Sequence, residues 1–318
     1  VSQSLSNNSK SPKIDFGAHP CFNEEARRSY ARIHLPVAPK CNMQCNYCSR
    51  KFSCVNESRP GVTCAVLTPY QALEYLREYV KKLPNLSVVA IAGPGDPFAN
   101  PEETLETLRL VKAEFPELLL CVATNGLNLL PYVGELSAIG VSHVTVTVNA
   151  ADPEIGRNIY EWMHWDGSTH TALEAAAHLW KQQAESISRL SKLGVTVKIN
   201  TIYIPGVNDQ HIEEVAREVA ALGADILNIL PLYPVGETAF GKIEEPSHCQ
   251  VKAARNVALR YLPQMRHCQR CRADAVGMLG EAQSQLQIDM LRTATNSAAR
   301  KCTSRCSLTS VSDGPCDE

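Results

Sequence analysis

Three cysteines, Cys41, Cys45 and Cys48, lie close together in the stretch Cys41-Asn42-Met43-Gln44-Cys45-Asn46-Tyr47-Cys48. Thiolates so spaced are a metal-binding pattern. Three of them suit a cubane iron-sulfur cluster with one iron left open: such clusters normally take four thiolates, so another group must coordinate the last iron. The competing chemistry is a zinc knuckle on the same residues, although zinc sites usually pair cysteines two to four apart with a second ligand pair further along. More thiols and one imidazole extend the inventory: His19 beside Cys21, then Cys54, Cys121, and the CxxC pair Cys268 and Cys271. These are enough for two more clusters. Taken singly, the CxxC pair with adjacent His267 also reads as half a zinc site or a redox couple, and Cys121 reads as a buried core thiol.

These residues need a scaffold, and the sequence supplies one. Apolar, β-rich runs alternate with helical patterns six times: 33–37 then 69–82, 87–92 then 101–115, 118–123 then 129–139, 141–148 then 171–193, 195–204 then 210–222, and 225–230 then 247–261. Six strand-plus-helix units predict a parallel sheet, and right-handed crossovers restrict it to an open doubly wound sheet or a full or partial barrel. The site then belongs to the loops after the strands, and Cys41 to Cys48 follow the first strand. Ala92-Gly93-Pro94-Gly95-Asp96-Pro97 follows the second. Glycine permits close backbone approach there, though a Gly-Pro turn after a strand is commonplace. On the fourth strand Thr145, Thr147 and Asn149 recur at period two opposite Val144, Val146 and Val148, and Lys198 with Asn200 repeats the pattern on the fifth. Buried parallel strands usually read as continuous apolar runs. A bound ligand would give that polar face its partners, as would neighbouring strands or water. An irregular insertion is expected between 148 and 171. Residues 19–291 read as one domain, 1–18 as a flexible leader and 292–318 as a disordered, Ser/Thr-rich tail.

Composition removes several function classes. Lys plus Arg number 31 against 33 Asp plus Glu, so no field of one sign recruits nucleic acid or an anionic membrane surface. Six Phe, ten Tyr and three Trp are too few to favour base stacking or a flat hydrophobic interface. No run approaches about 18 apolar residues, and the polar first fifteen residues hold no signal-like h-region. A cytoplasmic protein with neither nucleic-acid nor membrane partner is expected. Its thirteen cysteines are spaced as in metal sites rather than as in a small secreted disulfide framework.

The CxxxCxxC stretch with Tyr47 before its last cysteine, the six-unit alternation and the glycine-bearing loop after the second strand resemble the radical S-adenosylmethionine (SAM) enzymes. That resemblance implies a partial (β/α)6 TIM-like barrel of the radical SAM type, with Cys41, Cys45 and Cys48 on a catalytic 4Fe-4S cluster whose open iron takes the methionine end of SAM. It further implies that Tyr47, Gly93, Gly95, Asp96, Thr145, Thr147, Asn149 and Asn200 line the cofactor. Longer segments narrow it: His19-Pro20-Cys21-Phe22, Asn46 through Phe52 to Cys54, Asn56 through Gly61, Cys121 through Gly126, and His267 through Arg272. Over roughly residues 19–290 they are similar to the enzymes of nitrogenase iron-molybdenum cofactor biosynthesis. By that similarity His19, Cys21, Cys54, Cys121, Cys268 and Cys271 hold two further 4Fe-4S clusters as substrates, three ligands to each. The implied reaction fuses the two clusters with a carbide from the SAM methyl group and an added sulfur, giving an eight-iron cofactor precursor. The implied partners are an iron-sulfur cluster donor, a low-potential electron donor such as ferredoxin or flavodoxin, and carrier or scaffold proteins of nitrogenase assembly. Cys64, Cys249, Cys302, Cys306 and Cys316 receive no role.

Two other readings stay open at this level. One is a radical SAM enzyme acting on a small molecule or peptide, with permanent auxiliary clusters for electron transfer. The other is a non-catalytic iron-sulfur scaffold, against which the cysteine stretch and the loop from Gly93 to Pro97 argue.

Overall fold

Helix-starting signals and apolar strand runs alternate along this chain, and each becomes an element. In the computed structural model, which describes residues 16–54, 63, 65–281 and 284–299, the chain runs through β1 (Ala31–His34), β2 (Met43–Cys45), α1 (Pro69–Lys82), β3 (Leu86–Ile91), α2 (Pro101–Glu114), β4 (Leu119–Thr124), α3 (Val133–Ile139) and β5 (Val141–Thr147). It continues through α4 (Pro153–Ile159), β6 (Tyr160–Trp165), β7 (Ser168–His170), α5 (Ala172–Lys192), β8 (Thr196–Tyr203), α6 (Ile212–Ala221), β9 (Ile226–Pro231), α7 (His248–Ala258), β10 (Val276–Gly277) and α8 (Gln285–Ala299). Thr68 and Ser247 open α1 and α7 with capping boxes closed by Gln71 and Gln250, and Pro69 adds a preset φ at the first helical position.

The strand order β10-β1-β3-β4-β5-β8-β9 makes a curled, open half-barrel. The six strands β1, β3, β4, β5, β8 and β9 are mutually parallel, and the short β10 pairs antiparallel at one edge. Period-two alternation sorts the side chains. Ile33, Val89, Val122, Val144, Ile199 and Leu227 face outward into the main core beneath the helices. Their neighbours Arg32, Ala90, Cys121, Thr145, Lys198 and Asn228 face inward and line a cavity. The outer face provides the apolar burial, which leaves the inner face for polar chemistry.

Two expectations are corrected. The stretch between 148 and 171 is ordered: after α4 it forms a hairpin whose β6 pairs antiparallel with β2, matching Met43 to Met163, Gln44 to Trp162 and Cys45 to Tyr160. The cysteine loop thus gains a small sheet of its own. Residues 292–299, expected to be disordered, continue α8 as helix. They are held because Leu291 is fully buried and Ala294 nearly so in the main core, while Gln71 Nε2 donates to Thr295 O at 2.8 Å. Leu291→Ala is expected to cost about 2–5 kcal/mol of stability through the cavity it opens, measurable by urea unfolding; an unchanged midpoint would mean that α8 does not dock.

At the other end, Phe16–Ala18 forms a helical turn rather than leader, and Ser87 Oγ donates to Ala18 O at 2.6 Å. Residues 1–15, the segment Asn56 to Gly61, Cys64, Cys302, Cys306 and Cys316 lie outside the described residues. Among the described residues no helix is long and apolar enough to cross a membrane.

Candidate functional site

The loops after β1 and β3 are laced together, and this is what shapes the cysteine stretch. Gly95 N donates to Ala38 O at 2.6 Å and Asp96 N to Lys40 O at 2.8 Å, while Asn100 bonds Lys40 through both its side-chain oxygen and nitrogen. A Cβ on Gly95 would sit 2.1 Å from Lys40 O, so only glycine permits this approach. Gly93 holds φ +126°, a conformation that L side chains rarely adopt. The close approach shown at Gly95 is to the cysteine loop's own backbone. Gly95→Ala is expected to cost at least about 1–3 kcal/mol by overpacking and to lower iron bound at the loop. Calorimetric unfolding together with iron assay checks this, and wild-type values for both would refute it.

Within the loop, Cys48 N donates to Cys45 O at 3.0 Å, and Gln44 Nε2 reaches both Cys45 O (3.0 Å) and Cys48 O (2.6 Å). Asn46 is pinned by Ile159 O, Asn158 O and Phe240 N. Met43, Cys45, Tyr47 and Cys48 share an apolar cluster with Ile159, Met163 and Ile202. Burial pushes the Cys41 thiol up to about 11 and the Cys45 thiol well above its usual value, and the neighbouring cysteines add to the shift at Cys45. Thiols so disposed ionise only for a cation, as cluster iron provides. Asn42 Nδ2 is buried without a partner beside them, and Asn125 Nδ2 lies 3.9 Å from Cys41 Sγ. A donor set of three neighbouring thiols from one loop, Cys41 half-buried and Cys45 and Cys48 buried, fits a three-thiolate 4Fe-4S cluster.

The expected cofactor-lining residues divide. Thr145 and Asn200 line the inner cavity, and Thr147 is buried next to them in the sheet. Tyr47 is buried, and its hydroxyl accepts from Asn149 Nδ2 at 2.7 Å. Asn149 also accepts from Ile202 N through Oδ1, so it ties β8 to the cysteine loop. The Asp96 carboxylate accepts from Phe98 N, Asn125 N and Thr124 Oγ1. That saturates both oxygens, and the expectation that Asp96 lines the cofactor gives way to a role in fastening three strand-end loops. Burial still raises its pKa despite those bonds.

Inside the half-barrel a cavity gathers His19, Cys21, Cys121, Cys268 and Cys271. Five of the six residues expected for further clusters are thus together. Cys54 stands apart: its amide donates to Pro94 O at 2.9 Å, and its thiol is within electrostatic reach of the Tyr47 hydroxyl. The even division into two sets of three is therefore not what the cavity displays. Burial pushes the Cys21 thiol up to about 12 against the opposing pull of Lys198 and Arg32. His19 is held neutral by burial; its Nδ1 faces Cys21 N at 3.1 Å, and its Nε2 is buried without a partner. Among the described residues no group of three or more His, Cys, Asp or Glu is arranged to hold a single metal ion.

Sequence reasoning missed the charge in this cavity. Arg32 is buried, with Nη2 3.1 Å from Cys271 Sγ and Nη1 on the carbonyls of Gly277 and Met278. His34 lines the same space, its Nδ1 2.9 Å from Arg272 O and its pKa lowered by burial to about 3. His143 meets His19 with ring centroids 4.4 Å apart. The available signal was the period-two polar alternation of Arg32 and His34, the same one that exposed Thr145 and Thr147.

The family model described as Radical SAM superfamily matches residues 35–219, more than half of the chain, and the chain belongs to that superfamily. Within it the chain is 59% identical over 266 residues to the FeMo cofactor biosynthesis protein NifB of Chlorobaculum tepidum, covering 84% of this chain and 63% of that protein. It is 49% identical over 272 residues to the protein of the same name from Klebsiella pneumoniae, covering 84% and 58%. The chain thus spans less than two thirds of the length of these relatives. A likeness of fold links it to Streptococcus suis SuiB bound to S-adenosylmethionine, with TM-score 0.53 at 13% identity over 76% of this chain and 54% of that one.

Proposed function

We propose that the chain acts in nitrogenase cofactor biosynthesis as a radical SAM enzyme that fuses two 4Fe-4S substrate clusters into an eight-iron precursor. In this reaction the SAM methyl group becomes a carbide, and one sulfur is added. The observation that carries the reading is the inner cavity, where four thiols and an imidazole from three separate regions of the chain meet. The relatives named for FeMo cofactor biosynthesis support it.

In this reading Cys41, Cys45 and Cys48 hold the resident cluster, with Tyr47 and Asn149 fixing the loop that carries them. When bound, that cluster supplies the electron that breaks a sulfonium carbon-sulfur bond of SAM. Thr145, Thr147 and Asn200 offer hydrogen bonds toward the nucleoside and amino acid, and Gly93 allows backbone approach to the methionine end. His19, Cys21, Cys121, Cys268 and Cys271 anchor the substrate clusters, with Cys54 serving from the side of the cysteine loop. Incomplete protein ligation suits a cluster that must leave, since four thiolates would enclose it as a permanent one. A thiolate-ligated cluster is an anion in a buried place, and Arg32 and Lys198 on the inner face supply the compensating charge that such burial requires. His19 has a further part: with Nδ1 accepting from Cys21 N, coordination through Nε2 moves the ring proton to Nδ1 and opens that contact.

A cluster donor, a low-potential ferredoxin or flavodoxin, and a carrier or scaffold for the product complete the proposed set of partners. The chain reconstituted anaerobically and supplied with methyl-labelled SAM and reductant is expected to release iron-bound carbon label in an extractable product. Label found only in methionine or in small organic products would favour a radical enzyme with permanent auxiliary clusters instead.

A further inference from the structure

The outer edge of β9 carries a second feature, one that owes nothing to the cluster-fusion reading. Along this edge the backbones of Leu227, Ile229 and Pro231 point away from the sheet. Leu227 pairs with the segment at Pro263 to Met265. The next two carbonyls are taken by guanidiniums: Arg255 Nη2 donates to Ile229 O at 2.7 Å, and Arg270 Nη2 donates to Pro231 O. Residues two apart on a strand lie about 7 Å apart, so the two forks stand side by side with one atom of each tied to the sheet.

Three of the remaining donors have no protein partner. Arg255 Nε and Arg270 Nε and Nη1 are buried with no partner. Arg270 is only 6% exposed, stacks 4.4 Å over the Tyr233 ring, and sits at φ +47°, a left-handed conformation unusual outside glycine. Buried N–H groups are nearly always paired, and a strained residue that presents unpaired ones points to a missing ligand. Arg266 lines the same pocket, where Glu245 is the one carboxylate among its lining residues. Among the described residues none of the three arginines forms an ion pair. Paired guanidinium forks match oxyanions bidentately, and a third cation on the same pocket favours a tetrahedral anion over a carboxylate.

We infer that Arg255, Arg266 and Arg270 form a binding site for a small inorganic oxyanion of the sulfate or phosphate kind, beside Cys268. Leu230, Cys268 and Gln269 line both this pocket and the inner cavity. The anion therefore sits across a thin wall from the thiols.

Equilibrium dialysis with labelled sulfate at low ionic strength tests this on the full chain, reconstituted anaerobically and given no SAM. Saturable one-site binding is expected, displaced by phosphate. Arg255→Gln and Arg270→Gln should each weaken it about tenfold or more. Arg255→Lys should weaken it less, because charge is kept while the fork is lost, and the surface variant Arg109→Gln should bind as wild type. If Arg270→Gln fails to fold, the two Arg255 variants decide the matter. Non-saturable binding, or equal affinity in wild type and both Arg255 variants, overturns the site. Iron counted in the same samples separates that outcome from a failure of the cluster reading.

Discussion

Cys45→Ala, reconstituted anaerobically with iron and sulfide, is expected to form no 5′-deoxyadenosine above background. Cys45 is buried, and β2 fixes its backbone opposite Tyr160 of β6, so its sulfur is directed by two elements rather than by a free loop. Removing it leaves two thiolates from the loop, too few to hold a cubane whose open iron must bind SAM. The loss should exceed the 10–100-fold typical of deleting an outer partner of a metal ligand. Because Ala is small and the backbone pairing remains, the variant should fold. Formation of 5′-deoxyadenosine at the parent rate would remove Cys45 from the radical site.

The double variant Cys268→Ala, Cys271→Ala is expected to lose about four irons per chain, one cubane, while still cleaving SAM. The two cysteines flank the turn at Gln269 and Arg270 and reach the inner cavity, whereas Cys41, Cys45 and Cys48 are not among its lining residues. Arg32 should feel the loss directly, since its Nη2 is 3.1 Å from Cys271 Sγ. Production of the eight-iron cluster should cease. Full iron content with continued product would make the pair structural and undo the two-substrate-cluster assignment.

Much of the scaffold was legible in the residues, for reasons tied to particular segments. Helix α1 coincides with its expected range because Thr68, Pro69 and Gln71 mark its start locally. The parallel strands were legible because their outward faces are largely apolar, and Thr145 and Thr147 stood out against Val144 and Val146. Placing the first strand at Ile33 hid Arg32, whose buried role depends on carbonyls at Gly277 and Met278, more than 240 residues away. Strands β6 and β7 were missed for a similar reason. Tyr160 to Trp165 buries only Tyr160 and Met163, three residues apart, around a pairing with the cysteine loop that no local pattern announces. The loop of Gly95 and Asp96 was legible as a strand-end turn, but its contacts at Thr124, Asn125 and Lys40 are tertiary and no local pattern announces them. Cys54 shows the limit of counting ligands: six candidates divide neatly by number, and the fold places five together and one elsewhere.

The most direct test of the account is the iron content of the chain before and after turnover. Anaerobically loaded protein should carry about twelve irons, three cubanes. With SAM, reductant and an acceptor for the product, about eight should leave together in one eight-iron species while the cluster on Cys41, Cys45 and Cys48 remains. Iron that stays constant through repeated SAM cleavage would show the additional clusters to be permanent, and would contradict their role as substrates.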